Sequence, residues 1–213
     1  MNSRNRTPSV YIGYAIYFYF SGLSLRRTAE RLLSSCFIQR NHVSIWNWWI
    51  QKFKPQKILL KKTNIWIYNR DETLIKIGFW ELVWLWWVAI EPKHRQMLHI
   101  DISFERTMLI VAERFIAFLI NRHGKHPIST ADGGTWYPQA CKLLKIEHHL
   151  HSSFGKSVIE RTMQYLKDRT TESFDDYFPC KRQKCKLKHV RKWLKLFLVY
   201  HNKKIRLKWT GPF

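Results

Sequence analysis

Three carboxylates stand at positions that suit metal binding. Asp71 lies within an apolar, alternating segment, where a charged side chain is costly unless it is exposed at an edge or bound to a cation. Asp132 ends a short predicted strand and precedes two glycines, a turn that lets another backbone approach closely. Glu160 lies in a predicted helix. Carboxylates are ligands that Mg²⁺ prefers, and two such ions about 3.5–4 Å apart activate an attacking oxygen and stabilise a leaving one. The trio predicts two-metal phosphoryl chemistry.

Each carboxylate also has a plainer interpretation. Taken alone, Asp132 with its two glycines is usually a turn, and Glu160 beside Arg161 is usually a solvated helical pair. Asp71 beside Glu72 fits a salt-bridged strand end. The order of the three within the predicted elements favours the shared metal site.

The elements that must bring the carboxylates together alternate in type. Eight predicted segments follow one another as strand, strand, strand, helix, strand, helix, strand, helix. This order predicts a ribonuclease-H-like α/β domain. The predicted ranges are 64–77, 79–90, 97–103, 104–121, 127–131, 136–144, 146–150 and 157–169. The fourth range carries its apolar face on Met108, Val111, Phe115 and Phe118.

The N-terminal part is predicted to be helical. Ser24 caps one helix, and a second helix begins near Ser44 and ends at Pro55. The pair indicates either a helix-turn-helix or an ordinary helical hairpin with a solvated basic face. The predicted organisation is a helical DNA-binding region at 1–55, a basic linker at 56–65, a catalytic domain at 66–178 and a basic C-terminal helical tail at 179–213.

The charge distribution indicates a polyanionic partner. The 213 residues include 37 Lys and Arg against 15 Asp and Glu, a net charge of +22. Residues 1–62 hold eleven basic residues and one acid, residues 63–178 hold fourteen of each sign, and residues 179–213 hold twelve basic residues and no acid. Basic ends that neutralise phosphates around a middle that collects carboxylates are typical of a nucleic-acid enzyme. An anionic membrane surface is the other possible polyanion.

Membrane insertion and secretion are not expected. The apolar run from Val10 to Phe20 spans only eleven residues, whereas a membrane helix needs roughly 20. No signal peptide is recognisable, and four scattered cysteines do not form a secreted disulfide framework. We therefore expect a cytoplasmic protein.

Several segments resemble one family of enzymes. The chain is similar to the DDE transposases, and within these to the compact insertion-sequence transposases of the IS-six group, particularly archaeal-like members. The basic Lys167, two helical turns after Glu160, is the most specific part of this resemblance. The resembling segments are Tyr17 to Arg26, Val43 to Trp49, Asp71 to Thr73, Thr130 to Tyr137, Ser157 to Arg161, Leu166 to Thr170 and Tyr200 to Asn202.

The resemblance implies a retroviral integrase-type catalytic domain with an N-terminal helix-turn-helix. It implies that Asp71, Asp132 and Glu160 hold two Mg²⁺ or Mn²⁺ ions. The enzyme would cut double-stranded DNA at the terminal inverted repeats and join the freed 3′-hydroxyl to target DNA. It would work as a homodimer or higher oligomer, associated with the nucleoid of a prokaryote. The residues expected to contact DNA are Lys167, Arg161, Arg169, Arg26, Arg27, Ser44 and Trp46.

One spacing leaves two alternatives open. Sixty residues separate Asp71 from Asp132, which suits the group, but only 27 separate Asp132 from Glu160. The short interval is either a trimmed connection or the mark of a decayed copy that only binds DNA. A nuclease of the same fold, without strand transfer, is the third interpretation.

Other candidate ligands and the tail have mixed interpretations. His148 and His149 point to opposite faces of a predicted strand, which disfavours a zinc site. Cys180, Cys185 and His189 are either a weak zinc knuckle or ordinary residues of a basic tail. The tail itself is predicted to form an amphipathic helix, with a basic face for phosphates and an apolar face that caps the catalytic domain.

Overall fold

The chain is divided into two compact units. Residues 1–55 and 186–200 form the helical unit, and residues 56–185 and 201–213 form the sheet unit. Each unit contains its own core. The computed structural model describes residues 7–48, 65–69, 74–77, 80–83, 85–91, 93–103, 108–130, 135–150, 160–162, 164–165 and 187–209.

The described residues of the helical unit form four helical elements. Helix α1 is Ser9–Phe20, α2 is Leu25–Cys36 and α3 is His42–Asn47. The fourth is the beginning of α7, Leu187–Trp209, which belongs to this unit as far as Tyr200 and to the sheet unit beyond it. The predicted tail helix is thus confirmed. Its apolar face, however, packs on α1 from Trp193 to Tyr200, where the sequence predicts a cap on the catalytic domain.

Side-chain caps determine where α2 and α3 begin. The predicted cap of α2 is confirmed, because Ser24 Oγ accepts a hydrogen bond from the backbone N–H of Arg27 at 3.2 Å. Helix α3 begins at His42, two residues before the predicted start. The reason is that Asn41 Oδ1 accepts from the backbone N–H of Ser44 at 2.8 Å and thereby acts as the N-cap.

Aromatic rings fill the core of the helical unit. The ring of Phe20 in α1 lies 5.4 Å from that of Trp193 and 5.2 Å from that of Tyr200. Trp193 Nε1 donates a hydrogen bond to the hydroxyl of Tyr19 at 3.0 Å. A buried indole N–H needs such a partner, and this bond joins the two helices at a defined register.

The sheet unit is built on a five-stranded mixed sheet in the order β5-β4-β1-β6-β7. Strands β4 and β5 are antiparallel to their neighbours, whereas β1, β6 and β7 are parallel to one another. Three antiparallel strands followed by two parallel strands beside the first is the arrangement of a ribonuclease-H-like domain, so the predicted α/β fold class is confirmed. The strands are β1 Ile65–Asn69, β4 Leu85–Glu91, β5 Gln96–Ser103, β6 Ile128–Thr130 and β7 His148–Leu150.

Two of the predicted strands are each divided in the structure. The predicted strand 64–77 gives β1 in the large sheet and β2, Leu74–Ile77, in a separate two-stranded sheet. The predicted strand 79–90 gives β3, Trp80–Val83, and β4, and β3 pairs with β2. The polar run from Asn69 to Thr73 interrupts the apolar alternation and is the sequence signal for the first division. Ile65, the last residue of the predicted linker, pairs with Ile128 in the large sheet.

Two helices cover one face of the large sheet. They are α4, Met108–His123, and α5, Trp136–Leu143. The buried residues of α4 are Val111, Ala112, Phe115, Ile116 and Leu119, so the predicted stripe is correct at Val111 and Phe115. Phe118 is wrong as a core residue, because it is 39% exposed and stacks on His99 with ring centroids 4.1 Å apart.

The next described helical segment along the chain is α6, whose described residues are 160–162 and 164–165. It falls within the predicted helix 157–169. None of the helices in the described part of the chain is long and apolar enough to cross a membrane.

Candidate active site

Two neighbouring parallel strands lead into the segments that contain the predicted aspartates. Strand β1 pairs with β6 through Ile65 opposite Ile128 and Trp66 opposite Ser129. Because they run in the same direction, their carboxyl ends lie at the same edge of the sheet. Asp71 follows the last residue of β1 by two positions, and Asp132 follows the last residue of β6 by two positions. Both aspartates lie outside the described residues.

Glu160 is the predicted metal ligand that the structure describes. It lies in α6 and is partly buried, whereas its neighbour Arg161 is exposed and Thr162 is 8% exposed. The side chain of Arg161 is therefore accessible to a large polyanion. The predicted DNA contacts Lys167 and Arg169 lie outside the described residues.

A partly buried hydrogen bond supports the end of β6. Thr130, the last residue of that strand, is 1% exposed, and its Oγ1 lies 2.9 Å from Nε2 of His148 in β7. Burial lowers the pKa of His148, and the neighbouring His149 lowers it further, so His148 is neutral at pH 7. His148 thus secures the residue two positions before Asp132. The sequence alone suggests His148 only as a candidate zinc ligand.

Among the described residues, His149 does not form a metal site with His148. His149 Nε2 lies 3.6 Å from a carboxylate oxygen of Glu147, and both side chains are more than half exposed. Within the described ranges, no three His, Cys, Asp or Glu side chains group as metal ligands. Cys180, Cys185 and His151 lie outside those ranges, and the side chain of His189 is also not described, so the zinc-knuckle alternative stays a prediction.

Aromatic packing anchors the helix that follows Asp132. The ring of Tyr137, in the first turn of α5, lies edge-on to Trp87 of β4 with centroids 5.6 Å apart. Trp87 is the ladder partner of Asn69, the last residue of β1. Tyr137 and Trp87 are both nearly fully buried. The beginning of α5 is therefore packed against the strand that borders the end of β1.

The end of α7 ties the edge strand β5 to the helix that carries Glu160. Asn202 Oδ1 accepts from the backbone N–H of Met97 at 2.8 Å, and its Nδ2 donates to the carbonyl of Met97 at 2.7 Å. The amide thereby replaces a neighbouring strand at this edge. His201 and Lys204 both approach Tyr165 of α6, with the His201 ring 5.9 Å and Lys204 Nζ 5.1 Å from the Tyr165 centroid.

His201 is itself buried beside the β4–β5 turn. It is 8% exposed, and its Nε2 lies 3.4 Å from the carbonyl oxygen of Arg95. Burial lowers the pKa of His201 to about 4, against a smaller raising effect of the Arg95 carbonyl. The family resemblance drew attention to Tyr200, His201 and Asn202, but the sequence contained no signal for what His201 and Asn202 contact.

The predicted DNA-binding residues of the helical unit differ in exposure. Arg26 and Arg27 are exposed on α2. Ser44 is partly buried, and its hydroxyl donates to Asn41 Oδ1 at 2.9 Å, which gives it a role within the α3 cap. Trp46 is partly buried, whereas Ile45 of α3 and Trp48, the residue after the helix, are buried. Five residues, 37–41, separate α2 from α3. The helix-turn-helix stays a prediction.

Comparison with known proteins finds a relative in sequence but no matching family model. No family model matches the chain. The uncharacterized protein MJ0017 of Methanocaldococcus jannaschii is 27% identical over 186 residues, which cover 86% of this chain and 81% of that protein.

Two solved structures overlap with the chain in part. The catalytic core domain of BIV integrase has 22% sequence identity and a TM-score of 0.42, over 62% of this chain and 80% of that one. A chain of the simian T-cell lymphotropic virus intasome in complex with PP2A regulatory subunit B56 gamma has 17% identity and a TM-score of 0.44, over 84% of this chain and 66% of that one. The ribonuclease-H-like fold of the sheet unit follows from its own strand order and strand directions.

Proposed function

We propose that this protein is a DDE-type transposase, similar to the archaeal-like members of the IS-six group. It cleaves DNA at the ends of an insertion sequence and joins the freed 3′-hydroxyl to target DNA. Asp71, Asp132 and Glu160 are the proposed metal ligands. No protein nucleophile is required, because water and then the DNA 3′-hydroxyl make the two attacks.

The observation that carries the proposal is the pairing of β1 with β6. Parallel neighbouring strands end at one edge of the sheet, and an aspartate follows each of these two ends after the same number of residues. In open α/β sheets, ligands bind outside the carboxyl ends of the strands. Glu160, in α6, supplies the third carboxylate of the proposal.

The donor chemistry of the three residues fits Mg²⁺ or Mn²⁺. Carboxylate oxygens are hard ligands, and Mg²⁺ is bound in proteins through few carboxylates plus substrate phosphates. Two bound ions would activate the attacking oxygen and stabilise the leaving oxygen of the phosphodiester. The chain's own part is to hold the carboxylates: the Thr130–His148 hydrogen bond supports the strand before Asp132, and Tyr165 supports the helix of Glu160.

The remaining proposed roles concern DNA binding. Arg161, Lys167 and Arg169 contact the DNA near the cut end, and the helix pair α2–α3 binds the terminal inverted repeat with Arg26 and Arg27. We propose that the protein acts on both ends of the element as a dimer or higher oligomer. Ser44 and Trp46 belong to the same proposed DNA-binding region.

A strand-transfer assay tests the proposal. Purified protein is incubated with a labelled duplex of the element end and a plasmid target, in Mn²⁺ or Mg²⁺, and cleaved and joined products are separated on a denaturing gel. We expect both products, and a loss of at least about a thousandfold in Asp132→Asn, because metal ions supply several kcal/mol of stabilisation. Lys142→Gln, an exposed change on α5, is the control.

The same assay separates the alternatives. Nicked DNA without a joined product would identify a nuclease of the same fold. Specific binding of the element end without any cleavage would identify a decayed copy. The short interval between Asp132 and Glu160 would then be the mark of a lost catalytic site. Cleavage that persists in Asp132→Asn would overturn the proposed ligand set.

A further inference from the structure

The first part of α7 presents two opposite faces in the helical unit. Its buried face consists of Val190, Trp193, Leu194, Leu196, Phe197 and Tyr200, all at most 7% exposed. The other face contains Arg191, Lys192 and Lys195, which are all exposed. At about 100° per residue, these three basic residues lie within an arc about 100° wide, opposite the aromatic face.

The aromatic face makes α7 an integral part of this unit. The rings of Trp193 and Phe197 stack on each other 5.5 Å apart, and Phe20 of α1 contacts both of them. The Oγ of Ser21 lies 3.4 Å from the hydroxyl oxygen of Tyr200. With its apolar face fixed in this way, the orientation of the basic face is determined by the core.

The basic face belongs to a unit whose sequence is strongly basic. The sequence of the helical unit contains thirteen lysine and arginine residues and one acid, Glu30 on α2. No acid at all follows Asp176 in the chain. Like charges on one small unit repel one another, and a polyanion that binds them releases its counterions and removes this repulsion.

We propose that the C-terminal helix is a component of the DNA-binding unit, and that Arg191, Lys192 and Lys195 contact the phosphate backbone of duplex DNA without reading its sequence. The choice of DNA as the partner rests on the proposed function. Arg191 and Lys195 are separated by a rise of about 6 Å along the helix, so their long side chains reach different phosphates. These phosphate contacts would add affinity without sequence information, whichever residues of α2 and α3 read the bases.

The salt dependence of DNA binding tests this assignment. The affinity of the full chain for a duplex without element ends is measured in EDTA between 50 and 200 mM salt. Three phosphate contacts contribute about 2.7 to the slope of log affinity against log salt concentration. A triple variant, Arg191→Gln/Lys192→Gln/Lys195→Gln, should therefore show a slope that is less steep by about 2.7. Between 50 and 200 mM salt, the wild type should then lose about 40-fold more affinity for the duplex than the variant does.

Two further variants serve as controls. Lys93→Gln/Lys125→Gln/Lys142→Gln removes the same charge from exposed positions of the sheet unit and should leave the slope within about one of the wild type. Lys192→Arg/Lys195→Arg keeps the charge and should keep the slope. Equal urea midpoints for all variants establish that folding is intact, since every changed side chain is exposed.

Several outcomes would overturn the inference. An unchanged slope in the Arg191/Lys192/Lys195 variant would show a merely solvated face, and an equal fall in the sheet-unit control would show a general effect of net charge. If the variant loses binding to phosphatidylserine vesicles while duplex binding is unchanged, the partner is a membrane surface. Strand transfer is not measured here, so its failure would overturn the proposed function and leave this test unaffected.

Discussion

At the residue scale, two adjacent side chains of α7 satisfy buried polar groups in different ways. Asn202 is 1% exposed and pairs both backbone groups of Met97, as a neighbouring strand would. His201 is held neutral by burial and lies between the carbonyl of Arg95 and the ring of Tyr165. Both residues secure the end of α7 within the sheet unit.

Removal of the Asn202 amide should destabilise the sheet unit. Asn202→Ala leaves the N–H and the carbonyl of Met97 buried without partners, and we expect the free energy of unfolding to fall by about 2–4 kcal/mol. Urea denaturation measures this change. Lys203→Ala, at the next and exposed position, should change it by less than about 0.5 kcal/mol. Equal stability of the two variants would contradict the role of the amide.

His201 should make stability dependent on pH. Its folded-state pKa of about 4 lies below the ordinary 6.5, so the unfolded chain binds more protons between these values. Its contribution is complete above pH 6.5 and is lost as the pH falls towards 4, a loss of up to about 3 kcal/mol. Unfolding free energies of wild type and His201→Gln across this range measure the difference. Parallel curves for the two proteins would show that His201 is not the group responsible.

At the element scale, short polar signals determine where the helices begin, and the apolar pattern determines which faces they bury. Ser24 and Asn41 each accept a backbone N–H at the start of a helix. The buried residues of α4 recur every three or four positions, and they share a core with Trp87, Ala89 and Leu98 of the sheet. Cys141, in the same core, has its pKa raised by burial to about 11, so it remains an unreactive thiol.

The cap of α2 is open to a direct test. Ser24→Ala removes the acceptor for the Arg27 N–H and should lower the free energy of unfolding by about 1 kcal/mol, whereas Ser24→Asp should restore it. Ser35→Ala, an exposed position near the end of the same helix, is the matched control. Thermal or urea unfolding followed by circular dichroism gives both values. If Ser24→Ala matches Ser35→Ala, the cap contributes nothing.

At the scale of the whole molecule, charge and chemistry are unevenly distributed. The helical unit holds thirteen of the 37 basic residues and one of the 15 acids, and the three proposed metal ligands belong to the sheet unit. The proposed binding of DNA through the basic surfaces would therefore need no metal ion, whereas the proposed reaction would.

Removal of divalent ions should separate the two activities. With EDTA we expect no cleavage and no joining, while the affinity for a duplex, measured by fluorescence anisotropy at fixed ionic strength, remains within about twofold of its value in Mg²⁺. Restored Mn²⁺ should restore both products. A loss of duplex binding that parallels the loss of cleavage would contradict this division of roles.

The elements of the fold were largely predictable because their signals are local. The predicted segments 97–103, 127–131, 136–144 and 146–150 match β5, β6, α5 and β7 closely. The spacing of apolar residues identified α4, and Ser24 marked the start of α2. The division of the first two predicted strands was missed, because two sheets can share one continuous apolar stretch and only the pairing partners separate them. Phe118 was misplaced for a similar reason: its neighbour His99 comes from another strand.

The sequence by itself determined the positions of the three carboxylates, the basic ends and the amphipathic tail helix, since composition and periodicity are properties of the chain. Only the tertiary structure decided that β1 and β6 are parallel neighbours and that α7 packs its aromatic face on α1. It also revealed the contacts of Asn202 with Met97 and of His148 with Thr130. Contacts between residues distant in sequence depend on which faces are buried together, and no local pattern records that choice.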